Sequence, residues 1–116
     1  MPEMAPPSYL YLTTTGRRTG LPREIEIWFT SHNGCYYVIA EFTTSHWVRN
    51  IKANPAVTVR LGDHRFPATA RIIHAEQEPQ LHAAVRQLSS DKYGWGDGLI
   101  VELKPHPSPG GEVFGD

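Results

Sequence analysis

A stretch of strict alternation running into a two-residue turn narrows the fold most. From Arg23 to Thr30 the chain turns Ile25, Ile27 and Phe29 to one side and Glu24, Glu26 and Trp28 to the other. That period of two belongs to a strand with one buried face. Asn33-Gly34 follows, a pair that tolerates positive φ at both positions and so closes a tight hairpin. Cys35–Ala40 (CYYVIA) is the returning strand. Before this hairpin, YLYLTTT over Tyr9–Thr15 reads as another strand, and Gly16–Pro22 breaks it with two glycines and a proline. Three more strands are predicted at Val57–Leu61, Arg65–Ala75 and Leu99–Leu103, and Pro67 puts the second of these at an edge or a bulge.

Two helices interrupt the strands. Trp47, Val48 and Ile51 share one face of a short helix that Thr44 or Ser45 caps and Asn54-Pro55 ends. Leu81, Ala84, Val85 and Leu88 mark a longer one over Glu78–Ser90, with Pro79 in its first turn. Asp91–Gly98, with three glycines, reads as a loop. Six hairpin-linked strands and two helices predict a mainly β protein, a small antiparallel barrel with helices at its side. The absence of a regular strand–helix alternation argues against a doubly wound parallel sheet.

With 116 residues, 40% hydrophobic and 20% charged, the chain has the size and make-up of one domain. The expected layout is an N-terminal extension (1–8), the barrel (9–103) and a tail (104–116) with three prolines and three glycines. A net charge of −1 argues against a whole-chain grip on nucleic acid. No apolar run approaches the ~20 residues of a membrane-spanning helix. The single cysteine, Cys35, excludes an internal disulfide framework and fits a reduced, cytoplasmic setting. Six histidines are scattered without metal-ligand spacing, and no GxSxG nucleophile turn occurs.

Two segments carry candidate chemistry. Gly16-Arg17-Arg18-Thr19-Gly20, with Arg23 just beyond, puts three arginines within seven residues beside two glycines. Arginine forks match phosphate or carboxylate oxygens, and glycines let backbone N–H groups turn toward an anion. The same composition also makes a solvated basic turn, and both readings stand on composition alone. The second segment, Trp47–Pro55, is either a helix offering cations to a ligand or a plain amphipathic helix. Tyr9, Tyr11, Trp28, Tyr36, Tyr37, Phe42, Trp47, Tyr93 and Trp95 are candidates for walling a flat conjugated ligand.

Taken together, LTTTGRRTGLPR (Leu12–Arg23) and WVRNIKANPAVTVRLGD (Trp47–Asp63) resemble the split-barrel flavin and deazaflavin oxidoreductases, above all the deazaflavin-dependent nitroreductase family. The resemblance covers Tyr9 to Ala75. It implies a six-stranded antiparallel split β-barrel of the FMN-binding type, a homodimer, and hydride transfer from coenzyme F-420 to a small conjugated acceptor such as a quinone, enone or nitro compound. It further implies that Arg17, Arg18, Thr19 and Arg23 hold the anionic part of the coenzyme. Ala40, Phe42, Thr43 and Thr44 would carry its ring, and Trp47, Asn50 and Lys52 would fix that loop and the edge of the site. No catalytic residue is assigned by the resemblance; Tyr93 and His46 are candidates to give a proton to the reduced acceptor, and none need be dedicated to it. The segment between the third strand and the tryptophan helix, Ala40–His46, lacks the paired glycines and lysine of that family. Glu26–Gly34 (EIWFTSHNG) resembles the pyridoxamine-phosphate-oxidase-like branch, which makes FMN the alternative cofactor and a non-catalytic flavin- or haem-binding module the alternative role.

Overall fold

In a computed structural model, which describes residues 8–106, the alternating segments form seven strands and the two apolar stripes form two helices. In chain order these are β1 (Tyr9–Thr15), β2 (Pro22–Trp28), β3 (Thr30–His32), β4 (Cys35–Ala40), α1 (His46–Ala53), β5 (Ala56–Leu61), β6 (His64–Ile73), α2 (Pro79–Tyr93) and β7 (Leu99–Pro105). All pairings are antiparallel, and the hydrogen-bonded order is β2-β1-β5-β6-β7-β4-β3.

That order forces the sheet to roll. β2 and β3 lie at its two opposite edges, yet Phe29 alone separates them in the chain. The two edges must therefore meet at this residue, which makes the sheet a split barrel. Its interior is filled by the inward residues of each strand, among them Leu10, Leu12, Val38, Val59, Val101 and Leu103, all fully buried. The expected six strands become seven because the run Arg23–Thr30 bends at Phe29 rather than continuing. Phe29 is buried, so its apolar side chain fits the alternation, but its backbone changes sheet edge.

A corner of this kind takes backbone groups out of a regular ladder, and buried backbone groups need partners. The end of α2 supplies them. Tyr93 Oη accepts the Phe29 N–H at 3.1 Å and lies 2.7 Å from the Phe29 carbonyl, sharing its one proton between that carbonyl and the carbonyl of Ser8. Lys92 Nζ donates to the same Phe29 carbonyl at 2.9 Å. These contacts require α2 to reach Tyr93, three residues beyond its expected end at Ser90. Gly94, left-handed at φ 77, then stops it, with its N–H on the Ser90 carbonyl.

Other boundaries shift for local reasons. Ser45 stands at the N-cap of α1 but does not cap it. Its hydroxyl donates back to the Phe42 carbonyl at 2.9 Å and closes the turn before the helix. Asn54, extended before Pro55, ends α1 as expected. Pro67 lies in an inner strand rather than at an edge. Pairing between β6 and β7 begins only at Ala68↔Pro105, so Pro67 faces the terminal residues of β7, and its carbonyl accepts the His106 N–H. The last strand runs to Pro105, two residues into the expected tail. The rest of that tail, 107–116, and residues 1–7 of the expected extension lie outside the described residues. Neither helix is long and apolar enough to cross a membrane.

The Tyr93 contacts give a test. Tyr93→Phe keeps the ring but strips the Phe29 N–H of its partner, so it lowers unfolding free energy by about 1–3 kcal/mol. Urea denaturation measures this, and a loss under about 0.3 kcal/mol contradicts the corner account.

Candidate functional site

The turn after β1 is shaped by two glycines. The Gly16 N–H donates to the Leu21 carbonyl and the Gly20 N–H to the Gly16 carbonyl, both at 2.8 Å. A Cβ on Gly16 would stand 2.9 Å from Thr19 Oγ1 and 3.2 Å from the Leu21 carbonyl, so a side chain there crowds the loop and displaces the Thr19 hydroxyl. Gly20 takes φ 74, which favours glycine. Thr19 Oγ1 accepts the Leu21 N–H at 3.1 Å.

Helix α1 pins this loop from below through one buried amide. Asn50, 3% exposed, accepts from the Arg17 backbone N–H at 3.2 Å and from Arg17 Nη1 at 2.9 Å through the same Oδ1. Its Nδ2 donates to Thr14 Oγ1 at 3.1 Å. Arg17 Nη2 also sits 3.5 Å from His46 Nδ1. The result is a cavity of about 370 Å³ lined by Arg17, Arg18, Arg23 and His46, with Trp47 and Asn50 behind them. Arg18 and Arg23 are exposed and make no ion pair among the described residues.

Trp47 also lines a larger groove of about 620 Å³. Trp28 and Tyr93 stack in parallel along it, ring centroids 4.5 Å apart and planes 2° apart. Trp28 (51% exposed), Phe42 (62%) and Tyr9 (41%) all line it, so three of the four large hydrophobic side chains left open to solvent among the described residues converge on one groove. Tyr37, Ile39 and Ala40 of β4 and Trp95 complete it. Gly98 permits the close packing here, since a Cβ on it would fall 2.5 Å from the Ala40 carbonyl.

Behind β4 lies a polar chain that crosses three strands. Tyr37 and Arg71 are both register partners of Glu102. Tyr37 Oη donates to Glu102 Oε2 at 2.8 Å, Arg71 donates to both Glu102 oxygens at 3.2 Å, and Arg71 continues to Glu78. Burial above all, then the hydrogen bond to Glu102 and its negative charge, push the Tyr37 phenol well above its ordinary value. Hydrogen bonds from Arg71 to Glu78 and Glu102 hold its guanidinium still more firmly protonated. This network braces the groove from its β4 side.

The structure brings most of the sequence-derived candidates together. Arg17, Arg18, Thr19, Arg23 and Asn50 line the smaller cavity, Ala40 and Phe42 the larger, and Trp47 both. Thr43, Thr44 and Lys52 are exposed and line neither. Asn50 fixes the arginine loop rather than the 40–45 segment. Tyr93 lines the groove, but its hydroxyl is engaged at the Phe29 corner. Trp28, a sequence candidate for an aromatic wall, does line the groove, and Glu26 joins it, although a charged strand face is usually solvated. The Tyr37–Glu102–Arg71 chain has no sequence signal short of the strand order that aligns it.

Three comparisons bear on this arrangement. A family model described as F420H(2)-dependent quinone reductase matches residues 3–97. An F420H(2)-dependent quinone reductase of Mycobacterium tuberculosis is 32% identical over 95 residues, which cover 77% of this chain and 63% of that protein. The chain thus spans less than two thirds of the curated relatives it matches. Among solved structures, an F420-H2 dependent reductase matches at TM-score 0.68 and 25% identity, covering 84% of this chain and 94% of the other. The haem storage protein HutZ of Vibrio cholerae matches at TM-score 0.72 and 19% identity over 87% of this chain and 83% of its own, a likeness of fold alone.

Two outcomes follow from the site's hydrogen bonds. Asn50→Ala leaves the Arg17 N–H and Thr14 without their shared partner and costs about 1–3 kcal/mol in urea denaturation. The raised Tyr37 value makes a second outcome. Folding favours the neutral phenol, so this stabilisation is complete below the unfolded value of about 10 and is lost as pH rises through the folded one. Melting temperatures between about pH 8 and 11 therefore fall more steeply for the unmodified protein than for Tyr37→Phe. Parallel curves contradict the assignment.

Proposed function

Because the chain belongs to the F420H(2)-dependent quinone reductase family, we propose that it is an oxidoreductase that binds the deazaflavin coenzyme F-420 and passes a hydride to a small conjugated acceptor, a quinone before an enone or nitro compound. The observation that carries this reading is the shared wall of the two cavities. An arginine-lined hollow and an aromatic groove meet at Trp47. One ligand with an anionic tail and a flat ring system fits that pair. Guanidinium groups take the phosphate and carboxylates, and stacked aromatics take the ring.

The bound coenzyme supplies the hydride chemistry, and the protein supplies placement. Arg18 and Arg23, free of ion pairs within the described residues, are poised to hold the tail. Arg17, tied to Asn50, orients the loop that presents them. Trp47, Phe42 and Ala40 bound the ring, and Trp28 with Tyr93 leaves a flat surface beside it for an acceptor. The family match and the relatives' names favour F-420 over FMN. The free thiol of Cys35 suits a cytoplasmic setting. A homodimer would shield the unpaired edges that β2 and β3 leave on the sheet, and light scattering near twice 13.0 kDa is its expected signature.

Titration followed by tryptophan fluorescence tests the reading. F-420 binds below about 100 μM, worth ~5.5 kcal/mol, and more tightly than FMN. Arg18→Ala and Arg23→Ala each weaken the whole coenzyme by roughly tenfold or more, the worth of a charge-assisted hydrogen bond. A ring analogue without the phosphate tail changes little. Equal losses for both ligands contradict the arginine cradle.

A further inference from the structure

The two cavities differ in charge as sharply as in polarity. The smaller is lined by three arginines and a histidine and by no carboxylate. The larger is lined by Glu26 and Glu41 and by no lysine, arginine or histidine among the described residues. Both carboxylates are exposed. The ion pairs of the described residues, Arg71 with Glu78 and Glu102 and Arg86 with Asp97, engage neither of them. Lys92 is held on the Phe29 carbonyl and lies over the Phe29 and Tyr93 rings, and it is not itself a lining residue of the groove. Glu26 comes from β2, one alternation before Trp28, and Glu41 immediately follows β4 and precedes Phe42. Each aromatic left open in the groove by these two strands thus has a carboxylate close by in the chain.

We propose that Glu26 and Glu41 set the charge selectivity of the aromatic groove, so that it admits uncharged or cationic conjugated rings and turns away those bearing a sulfonate or carboxylate. The inference rests on the functional reading above, in which this groove takes the coenzyme ring and, beside it at Trp28 and Tyr93, the acceptor, and it names the acceptor's charge class. Two negative charges beside an aromatic wall, neither of them ion-paired among the described residues, repel an anionic ring over several ångströms. They attract a cation, and the half-exposed Trp28 ring favours it further. An uncharged ring meets neither effect and binds through stacking and apolar burial. The segregation also separates the two jobs of the site: tail anions are drawn to the arginine side of Trp47 and kept from the acceptor side.

The test is calorimetric titration of the coenzyme-free protein with three redox-inert naphthalenes: 2-naphthylmethanol, naphthalene-2-sulfonate and (2-naphthylmethyl)trimethylammonium. At low salt the sulfonate binds at least about fivefold more weakly than the alcohol, and the ammonium compound at least as tightly as the alcohol. Raising the salt to about 1 M, where screening acts within ~3 Å, draws the three affinities together. This arm uses the unmodified protein and needs no variant to fold. Glu26→Gln combined with Glu41→Gln likewise brings the sulfonate to within about twofold of the alcohol. A sulfonate that binds as well as the alcohol at low salt, or a preference unchanged in E26Q/E41Q, overturns the proposal. F-420 is titrated in parallel. Coenzyme binding without charge preference among the naphthalenes refutes the selectivity alone, whereas failure of the coenzyme and all three probes to bind refutes the functional reading and the selectivity with it.

Discussion

Phe29 joins the two edges of the rolled sheet, and much of the site depends on how that corner is held. The chain crosses from β2 to β3 in one residue, so the backbone there leaves its ladder while the side chain stays in the core. Tyr93 and Lys92, from the last turn of α2, satisfy the backbone groups freed there. The same tyrosine then stacks on Trp28, the residue before the corner. One helix end thus closes the barrel and builds one wall of the aromatic groove, which ties the stability of the fold to the shape of the site.

A second buried contact does the corresponding work on the other side of Trp47. Asn50 is an amide inside an otherwise apolar helix face, beside Trp47, Val48 and Ile51. A buried amide is costly unless satisfied, and here it is satisfied by the arginine loop and by Thr14. The loop is therefore held in one arrangement before any ligand arrives, and preorganisation of this kind lowers the ordering cost of binding. Trp47, its neighbour on the buried face, separates a basic hollow from an acidic aromatic groove.

The fold was legible where period and turn chemistry speak locally. The alternation of β2, the Asn33-Gly34 hairpin, the proline stop of α1 and the stripe of α2 are all present in the structure. What sequence could not carry is non-local. Nothing in the run Arg23–Thr30 marks Phe29 as a corner, because burial of its side chain fits a straight strand equally well. Its partners stand more than sixty residues away in the last turn of a helix that sequence ends at Ser90. The same limit applies to the site. The glycine–arginine loop and the tryptophan helix are visible as motifs, and the resemblance they carry leads to the family. Trp28 stands out in sequence as a candidate aromatic wall, but Glu26 looks like part of an ordinary solvated strand face until the roll of the sheet turns it into a groove wall. Tyr37, Arg71 and Glu102 become a chain only when β4, β7 and β6 lie side by side.

The central claim is that one ligand spans both cavities across Trp47. A crystal structure of the protein with oxidised F-420 tests it most directly. The account predicts the phosphate and carboxylates against Arg18 and Arg23, with the ring system in the groove beside Trp47, Phe42 and Ala40. A coenzyme whose tail lies away from those arginines, or whose ring lies outside that groove, contradicts it.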